Sequence, residues 1–409
     1  MRTSPYLASI RLTYRAALLV FVVTVVIGIL NGIDLVDFGR DAILTHVHAG
    51  TLGFLTLSIM ATTFWIFSED GKQPVSVAAT RNLAIVAAVS IVAYIGAFYS
   101  GALPARAILA VPVLLSIVWF LGWVWRAVRA TPRSLAGIGI VCAIAMLLLG
   151  GTLGTLIQVQ MATKTQIFPT SGDAVGSHAV AMVFSYLVLF GMVVAEWRLV
   201  GSTPGRLPRG GVAQISFLLA AGLVSVFALM FNLQPLLGLA TLLEIAAVVT
   251  FAIRMAGPLR RVPWGVASSS RQLGMSAAFV VVDIALIVVV IVVFMSVGGD
   301  INRFPLGLLI ASDHTTFIGV MANAIFGLLL VATERSAGVS RWLAQVTFWG
   351  LNIGLVGFLV GLIAEVAILK QVFTPIMGAS ILIAIAAFVV ELGGTEQERP
   401  EAQPEASAA

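Results

Sequence analysis

Long apolar runs separated by short polar segments dominate this chain. Each run holds about 20 mostly apolar residues, the length that crosses a bilayer as a helix, and twelve such runs are predicted. They cover residues 16–33, 43–67, 82–100, 105–127, 134–158, 175–197, 211–231, 235–254, 273–297, 305–332, 343–369 and 374–392. The pattern therefore predicts an all-α, polytopic membrane protein with twelve transmembrane helices.

The division between helices seven and eight is the least marked of the boundaries. One long tilted helix could cover both runs, but Asn232, Gln234 and Pro235 interrupt the apolar pattern. Polar residues followed by proline favour a turn, so two helices are predicted there.

Composition narrows the class of protein. Of 409 residues, 60% are hydrophobic and 10% are charged, which excludes a water-soluble enzyme. The net charge of +5 comes from basic residues dispersed through the short connections, so we expect the lipid bilayer and no nucleic acid as a partner. The single cysteine, Cys142, excludes an intramolecular disulfide and a two-cysteine covalent haem attachment.

The distribution of lysine and arginine predicts the orientation. When the connections are assigned to alternate sides of the membrane, 5 of the 23 basic residues fall on one side. Those five are Arg40, Arg106, Lys164, Arg303 and Lys370. Because cytoplasmic loops are rich in Lys and Arg, both termini are predicted to be cytoplasmic in the cell membrane. Residues 1–392 form one transmembrane domain in this interpretation, and 393–409 form a disordered cytoplasmic tail.

All four histidines fall inside predicted helices. They are His46, His48, His178 and His314. Each lies in the outer half of an even-numbered helix, so three distant segments bring imidazoles to a similar depth. Ionisable groups in a bilayer are costly and tend to mark functional positions. Each ring alone could simply bond a neighbouring carbonyl or hydroxyl group, but for the set we favour ligation of haem or another metal.

Four segments resemble the catalytic subunit of the haem-copper oxidase and nitric oxide reductase superfamily. They are THVHAGTLGFLTL (45–57), GSHAVAMVFSYL (176–187), SDHTTFIGVMANAIFGLL (312–329) and FWGLNIGLVGF (348–358). That family also has twelve helices. The resemblance implies a haem, with His48 (or His46) and His314 as axial ligands of the iron. A b-type haem is the type we favour. His178 would correspond to a metal ligand on helix six, as part of a second metal or haem site.

The departures from the family pattern exclude its copper centre. Helix seven (211–231) has no histidine, and helix ten has His314 alone. The position four residues after His178 is Met182, and the nearest tyrosine is Tyr186. A three-histidine copper site cannot be built from these residues, so copper is not favoured and reduction of oxygen to water is not expected.

Three acids fall within the predicted helices: Glu244, Asp283 and Glu365. Such carboxyl groups either pair with a structural partner or belong to a proton path, and both interpretations stay open.

The leading hypothesis is a haem-binding membrane protein serving electron transfer, haem handling or a response to O2 or NO. A redox partner, a partner subunit and a homo-oligomer stay open. The rival hypotheses are a twelve-helix secondary transporter without a cofactor and an assembly subunit that keeps the fold alone.

Overall fold

The computed structural model describes residues 1, 3–201, 205, 207–298, 303–333 and 339–393 of the chain. Within these residues there is no strand, and twelve helices are long and apolar enough to cross a membrane. The helices are α1 (Leu7–Gly32), α2 (Arg40–Phe67), α3 (Val77–Tyr99), α4 (Leu103–Ala130), α5 (Leu135–Thr163), α6 (Ala174–Leu199), α7 (Arg209–Met230), α8 (Gln234–Arg260), α9 (Ser269–Ser296), α10 (Leu306–Thr333), α11 (Val339–Ile363) and α12 (Ala367–Gly393). The chain is thus a multi-pass, all-helical membrane protein, as the apolar pattern predicts.

Each predicted run coincides with one helix, although several ends differ. Helix α1 begins nine residues before the predicted start, because its first turns are amphipathic and not uniformly apolar. Ile10 and Tyr14 are fully buried there, whereas Arg15 is exposed. The turn between α7 and α8 is confirmed, with Asn232 in the left-handed region at φ 54°. The predicted tail, apart from residue 393, lies outside the described residues.

The boundary between α11 and α12 corrects the placement of one acid. Helix α11 ends at Ile363 and α12 begins at Ala367, so Glu365 lies in the turn and is exposed. Its φ is 55°, a conformation usually signalled by glycine or asparagine. Since neither residue nor proline occurs here, the pattern gave no sign of the turn. Glu365 is therefore not a buried acid of a helix.

Three helices form the centre of the bundle. In α2, α6 and α10, 83%, 72% and 83% of the most apolar stretch is buried, against 56% or less in the other spans. The hydroxyl group of Tyr186 on α6 donates to Thr56 Oγ1 on α2 at 3.0 Å. The rings of Phe54 on α2 and Phe326 on α10 pack 6.1 Å apart. These central helices are the ones that carry all four histidines.

The same three helices change from α-helical to π-helical geometry within the membrane. The π-helical segments are Ala49–Thr56, Val183–Val188 and Thr315–Ala322. Two of them begin directly after a histidine, His48 in α2 and His314 in α10. A π-helical segment changes the direction of the side chains that follow it, and such segments are frequent at functional sites. This feature points to α2, α6 and α10 as the helices that hold a site.

Close contact between α11 and α12 depends on glycines of α11. A Cβ at Gly354 would lie 2.6 Å from the backbone nitrogen of Met377, and one at Gly361 would lie 2.6 Å from that of Lys370. No real Cβ approaches backbone atoms so closely, so the two helices would have to separate. This contact also fixes the position of Lys370 on α12, which lines a cavity between α2 and α10.

Substitution of Gly354 by alanine is expected to destabilise the protein. The new methyl group would push α12 away, at a cost of about 1–3 kcal/mol for an overpacked contact. The measurement is the midpoint of thermal unfolding in detergent. The matched control is Gly122→Ala on α4, where a Cβ meets no atom within 4 Å. An equal shift of the midpoint in both variants would contradict the conclusion that the contact between α11 and α12 requires glycine at position 354.

Candidate functional site: two cavities lined by histidines

All four imidazole rings are fixed through the same atom. Nδ1 of each ring lies 2.7–2.8 Å from a backbone carbonyl oxygen. The pairs are His46 with Thr24, His48 with Leu44, His178 with Gly150 and His314 with Ile310. A carbonyl oxygen only accepts, so Nδ1 carries the proton and donates. In the neutral ring, Nε2 then has a free lone pair, the arrangement that metal-ligating histidines use.

The four Nε2 atoms have no hydrogen-bond partner within the described part of the chain. Each ring is half-buried and lines a cavity. The rings are divided between two cavities, two rings to each. The α2–α10 cavity has a volume of about 340 Å³ and is lined by His46 and His314. The α2–α6 cavity has a volume of about 300 Å³ and is lined by His48 and His178.

In the α2–α10 cavity, the two imidazoles stand at a distance that suits a shared metal. Their ring centroids are 6.4 Å apart and their planes differ by 27°. A ring bound through nitrogen at about 2.0 Å has its centroid about 3 Å from the metal, so two opposed rings have centroids about 6 Å apart. The residues of this cavity therefore fit an iron held between His46 and His314.

The walls of the α2–α10 cavity are mainly apolar and aromatic. Phe21 and Phe54 stack with ring centroids 3.8 Å apart, and Phe358 packs 4.9 Å from His314. A Cβ at Gly28 would lie 3.1 Å from Cε1 of His46, so glycine there allows α1 to approach the ring. Such a cavity suits a flat, largely apolar ligand.

A cation lies at the edge of the same cavity. Lys370 on α12 lines it and donates to Oδ1 of Asp34 at 2.6 Å, while Gln371 donates to Oδ2 of Asp34 at 2.9 Å. Asp34 is in the connection between α1 and α2, so this contact ties that connection to α12. The charge of Lys370 is paired with that of Asp34.

The α2–α6 cavity is similar in construction. The ring of His48 stacks on Phe98 at 3.8 Å, and Tyr94 meets it edge-on at 6.2 Å. A Cβ at Gly154 on α5 would lie 2.8 Å from Cε1 of His178. Arg40, at the start of α2, also lines this cavity. The cavity thus combines two imidazoles, an aromatic wall and a cation.

The structure separates the two histidines of α2 and brings each next to a different partner. His46, and not His48, lies beside His314. Positions two apart on a helix point in nearly opposite directions, so one of the pair was expected to face the shared site. His48 faces the second cavity with His178. Neither His48 nor His178 was expected to share a cavity with the other, because sequence alone shows depth along a helix but not which helices are neighbours.

Three acids on α8, α9 and α10 have no basic partner among the described residues. Asp283 on α9 is 1% exposed and accepts a hydrogen bond at 2.9 Å from Thr316 on α10. Glu244 on α8 is 4% exposed, and Asp313 lines both cavities. No ion pair involves these three carboxyl groups within the described residues. A proton path through Glu244 and Asp283 stays a prediction. Glu365 is exposed in the turn between α11 and α12, so it is not a buried member of such a path.

Several residues of the site escaped the sequence reasoning. Arg40 and Lys370 were used only to predict orientation, yet both line a cavity. The sequence did distinguish them, because they are two of the five basic residues predicted to lie on the side of the membrane where Lys and Arg are rare. Gly150 and Gly154 were not among the predicted site residues, yet the carbonyl group of the first accepts the hydrogen bond from His178 and the second leaves room for its ring.

No cluster of three or more His, Cys, Asp or Glu side chains that could hold a metal ion is present among the described residues. Each cavity offers two imidazoles. Two neutral imidazoles are a set of ligands that can hold an iron whose other four positions come from a macrocycle.

Comparison with known proteins gives no assignment. No protein-family model matches the sequence, and no curated protein sequence matches it. What the chain binds has therefore to be inferred from the geometry and chemistry of the two cavities.

The contact between Asp34 and Lys370 is expected to depend on pH. The hydrogen bond from Lys370, with a second one from Gln371, holds the pKa of Asp34 below its ordinary value of 3.8. A lowered pKa means that the contact stabilises the fold above that value and is lost as the pH falls through the pKa of the folded protein. After correction for the intrinsic rate, hydrogen exchange of residues 33–39 should therefore stay constant at pH values above about 5 and accelerate as the pH falls below 3.8.

The control is Asp34→Asn, which cannot ionise. Its exchange at neutral pH should resemble that of the wild type in acid, and its corrected rate should not change with pH. The same pH dependence in wild type and variant would contradict the role of Asp34.

Proposed function

We propose that this protein is a haem-binding membrane protein in which His46 and His314 hold one b-type haem, and that it serves electron transfer. The observation that supports this most strongly is the pair of imidazoles 6.4 Å apart across an apolar cavity. Both rings have Nδ1 bound to a backbone carbonyl and Nε2 free.

The size and lining of the cavity favour a macrocycle over a metal ion alone. A site for one water-sized species needs on the order of 10–15 Å³, whereas this cavity has about 340 Å³. Two histidines would leave four of the six coordination positions of an iron ion open. A haem supplies four nitrogen ligands and an apolar surface, so it would use both the two imidazoles and the aromatic wall.

The chain's own residues would bind and orient the group. The hydrogen bonds to Thr24 and Ile310 would fix the rotation of the two rings and leave the lone pair of Nε2 available to the ligand. Lys370 lines the cavity and would bind an acidic substituent of the ligand only by leaving Asp34. Phe21, Phe54 and Phe358 would provide an apolar wall.

Haem iron supplies a one-electron redox change when bound. With both axial positions held by His46 and His314, no position would be open for a gas, which favours electron transfer over oxygen chemistry. The positive-inside rule adds that both termini face the cytoplasm. The cavities would then lie near the extracytoplasmic side of the cell membrane, within reach of a redox partner there.

Substitution of one axial ligand is expected to open the iron to carbon monoxide. The wild-type protein, expressed with a haem precursor and reduced with dithionite, should show b-type absorption bands that carbon monoxide does not change. In His46→Ala and in His314→Ala, the spectrum should shift on addition of carbon monoxide, because one axial position is vacant. Imidazole added in place of carbon monoxide should fill that position and restore the spectrum of the wild type.

The control for correct folding is the elution profile of each variant in size-exclusion chromatography. A wild-type protein that carries no haem after expression with the precursor would overturn the proposal. Accumulation of a solute by that haem-free protein in vesicles would favour the transporter instead. A response to carbon monoxide that is the same in wild type and in both variants would also contradict ligation by these histidines.

A further inference from the structure

Helix α9 presents one face to the π-helical segment Thr315–Ala322 of α10. The side chains of this α9 face share one side of the helix and are at most 5% exposed: Gln272, Ser276, Phe279 and Asp283. Ser276 donates to the carbonyl oxygen of Val320 at 2.7 Å, and Asp283 accepts a hydrogen bond at 2.9 Å from Thr316. Helix α9 therefore holds the segment through buried polar contacts as well as apolar packing.

Glycine in the segment allows α9 to come close enough for these contacts. A Cβ at Gly319 would lie 2.7 Å from Cγ and from Cδ1 of Phe279. A larger residue there would push the two helices apart. The hydroxyl group of Ser276 can thus reach a backbone atom of α10.

Asn323 lies directly after the segment and binds its backbone. Its side chain is fully buried. Nδ2 donates to the carbonyl oxygen of Gly319 at 2.9 Å and to that of Ile318 at 3.3 Å, while Oδ1 accepts from Gln272 at 2.7 Å. Together with the bond from Ser276, three successive carbonyl groups of α10 accept hydrogen bonds from side chains.

These bonds favour the π-helical geometry. A π-helix pairs each carbonyl group with an N–H one residue later than an α-helix does, and a buried carbonyl group needs a donor. Ser276 and Asn323 supply donors to carbonyl groups where the backbone pattern changes. Without them, the α-helical pattern gains in relative stability.

The geometry of the segment determines the direction of His314. Nδ1 of this ring donates to the carbonyl group of Ile310 in its own helix, so the ring turns with α10. A π-helical turn holds one residue more than an α-helical turn, and one residue corresponds to a rotation of about 100° in an α-helix. A change of the segment to α-helical geometry would therefore turn His314 by about 100° relative to Asn323, away from His46.

We propose that Ser276 and Asn323 are positioning residues that keep this part of α10 π-helical and thereby direct His314 into the α2–α10 cavity. Both act through the backbone of α10, because neither is among the described residues that line the cavity. The inference rests on the proposed function for the role of His314 as a ligand. The direction of the side chain at position 314 is a property of the protein without haem.

That direction is measured by the reactivity of a thiol at position 314. The full-length chain carries Cys142→Ser and His314→Cys, is purified without haem, and is treated with methyl methanethiosulfonate while its mass is followed. Adding Ser276→Ala or Asn323→Leu should lower the rate of modification several-fold, because the thiol turns out of the cavity. Thr51→Cys in the Cys142→Ser chain is the control position, since Thr51 lines the same cavity from α2, and its rate should not change.

Matched variants separate this role from the general loss of a buried hydrogen bond. Ser185 on α6 is fully buried and donates to the carbonyl group of Leu218 on α7 at 2.7 Å, so Ser185→Ala removes an equivalent bond elsewhere. Asn352→Leu removes a partner of Asn323 on α11 and leaves the donors to the segment in place. Neither variant should lower the rate at position 314. Ser276→Thr keeps the hydroxyl group and should retain the original rate.

In the protein loaded with haem, the same variants should open one axial position. With His314 intact, reduced Ser276→Ala and Asn323→Leu should respond to carbon monoxide. The wild type, Ser185→Ala and Asn352→Leu should not respond. If Asn323→Leu does not fold, as judged by its elution profile, Ser276→Ala decides alone.

The outcomes separate this inference from the proposed function. A rate at position 314 that stays the same, or that rises together with the rate at position 51, would overturn the inference, because loosening of the bundle exposes both thiols. A lowered rate in a protein that binds no haem would support the inference and overturn the proposed function. A lowered rate without a response to carbon monoxide would support the inference and contradict ligation by His314.

Discussion

The hydrogen bond from Nδ1 of each histidine to a backbone carbonyl oxygen is the interaction on which the site depends. It fixes the tautomer, it limits the rotation of the ring, and it leaves Nε2 without a partner among the described residues. A buried polar group costs free energy unless it is bonded, and this bond satisfies only one of the two nitrogen atoms. The second nitrogen of each ring is therefore available to a ligand.

The surrounding helices are arranged around these four rings. The central helices α2, α6 and α10 depart from α-helical geometry beside or just after their histidines. Glycine stands where a neighbouring helix approaches a ring, at Gly28 for His46 and at Gly154 for His178. Both choices weaken a helix, since π-helical geometry is rarely adopted and glycine is a poor helix former. At these positions the bundle gives up some helix stability to make room for the rings.

The sequence was sufficient for the number of helices because hydrophobicity and length alone decide which segments cross a membrane. It was insufficient for the turn at Glu365, which adopts a left-handed conformation without glycine. It placed the histidines on the correct helices but favoured His48 over His46 as the partner of His314, whereas the structure places His46 beside His314. That choice depends on the rotation of α2 against α6 and α10, a property of packing that no local pattern records. The cations Arg40 and Lys370 were visible in the sequence as exceptions to the charge distribution, although their position beside the cavities required the structure.

The most direct measurement of whether histidine pairs hold iron is the electron paramagnetic resonance spectrum of the oxidised protein. Ligation by two imidazoles predicts low-spin ferric haem, and replacing His314 by alanine should convert one low-spin species into a high-spin one. A protein purified after expression with a haem precursor that gives no ferric haem signal, or only a high-spin signal, would contradict ligation by two histidines.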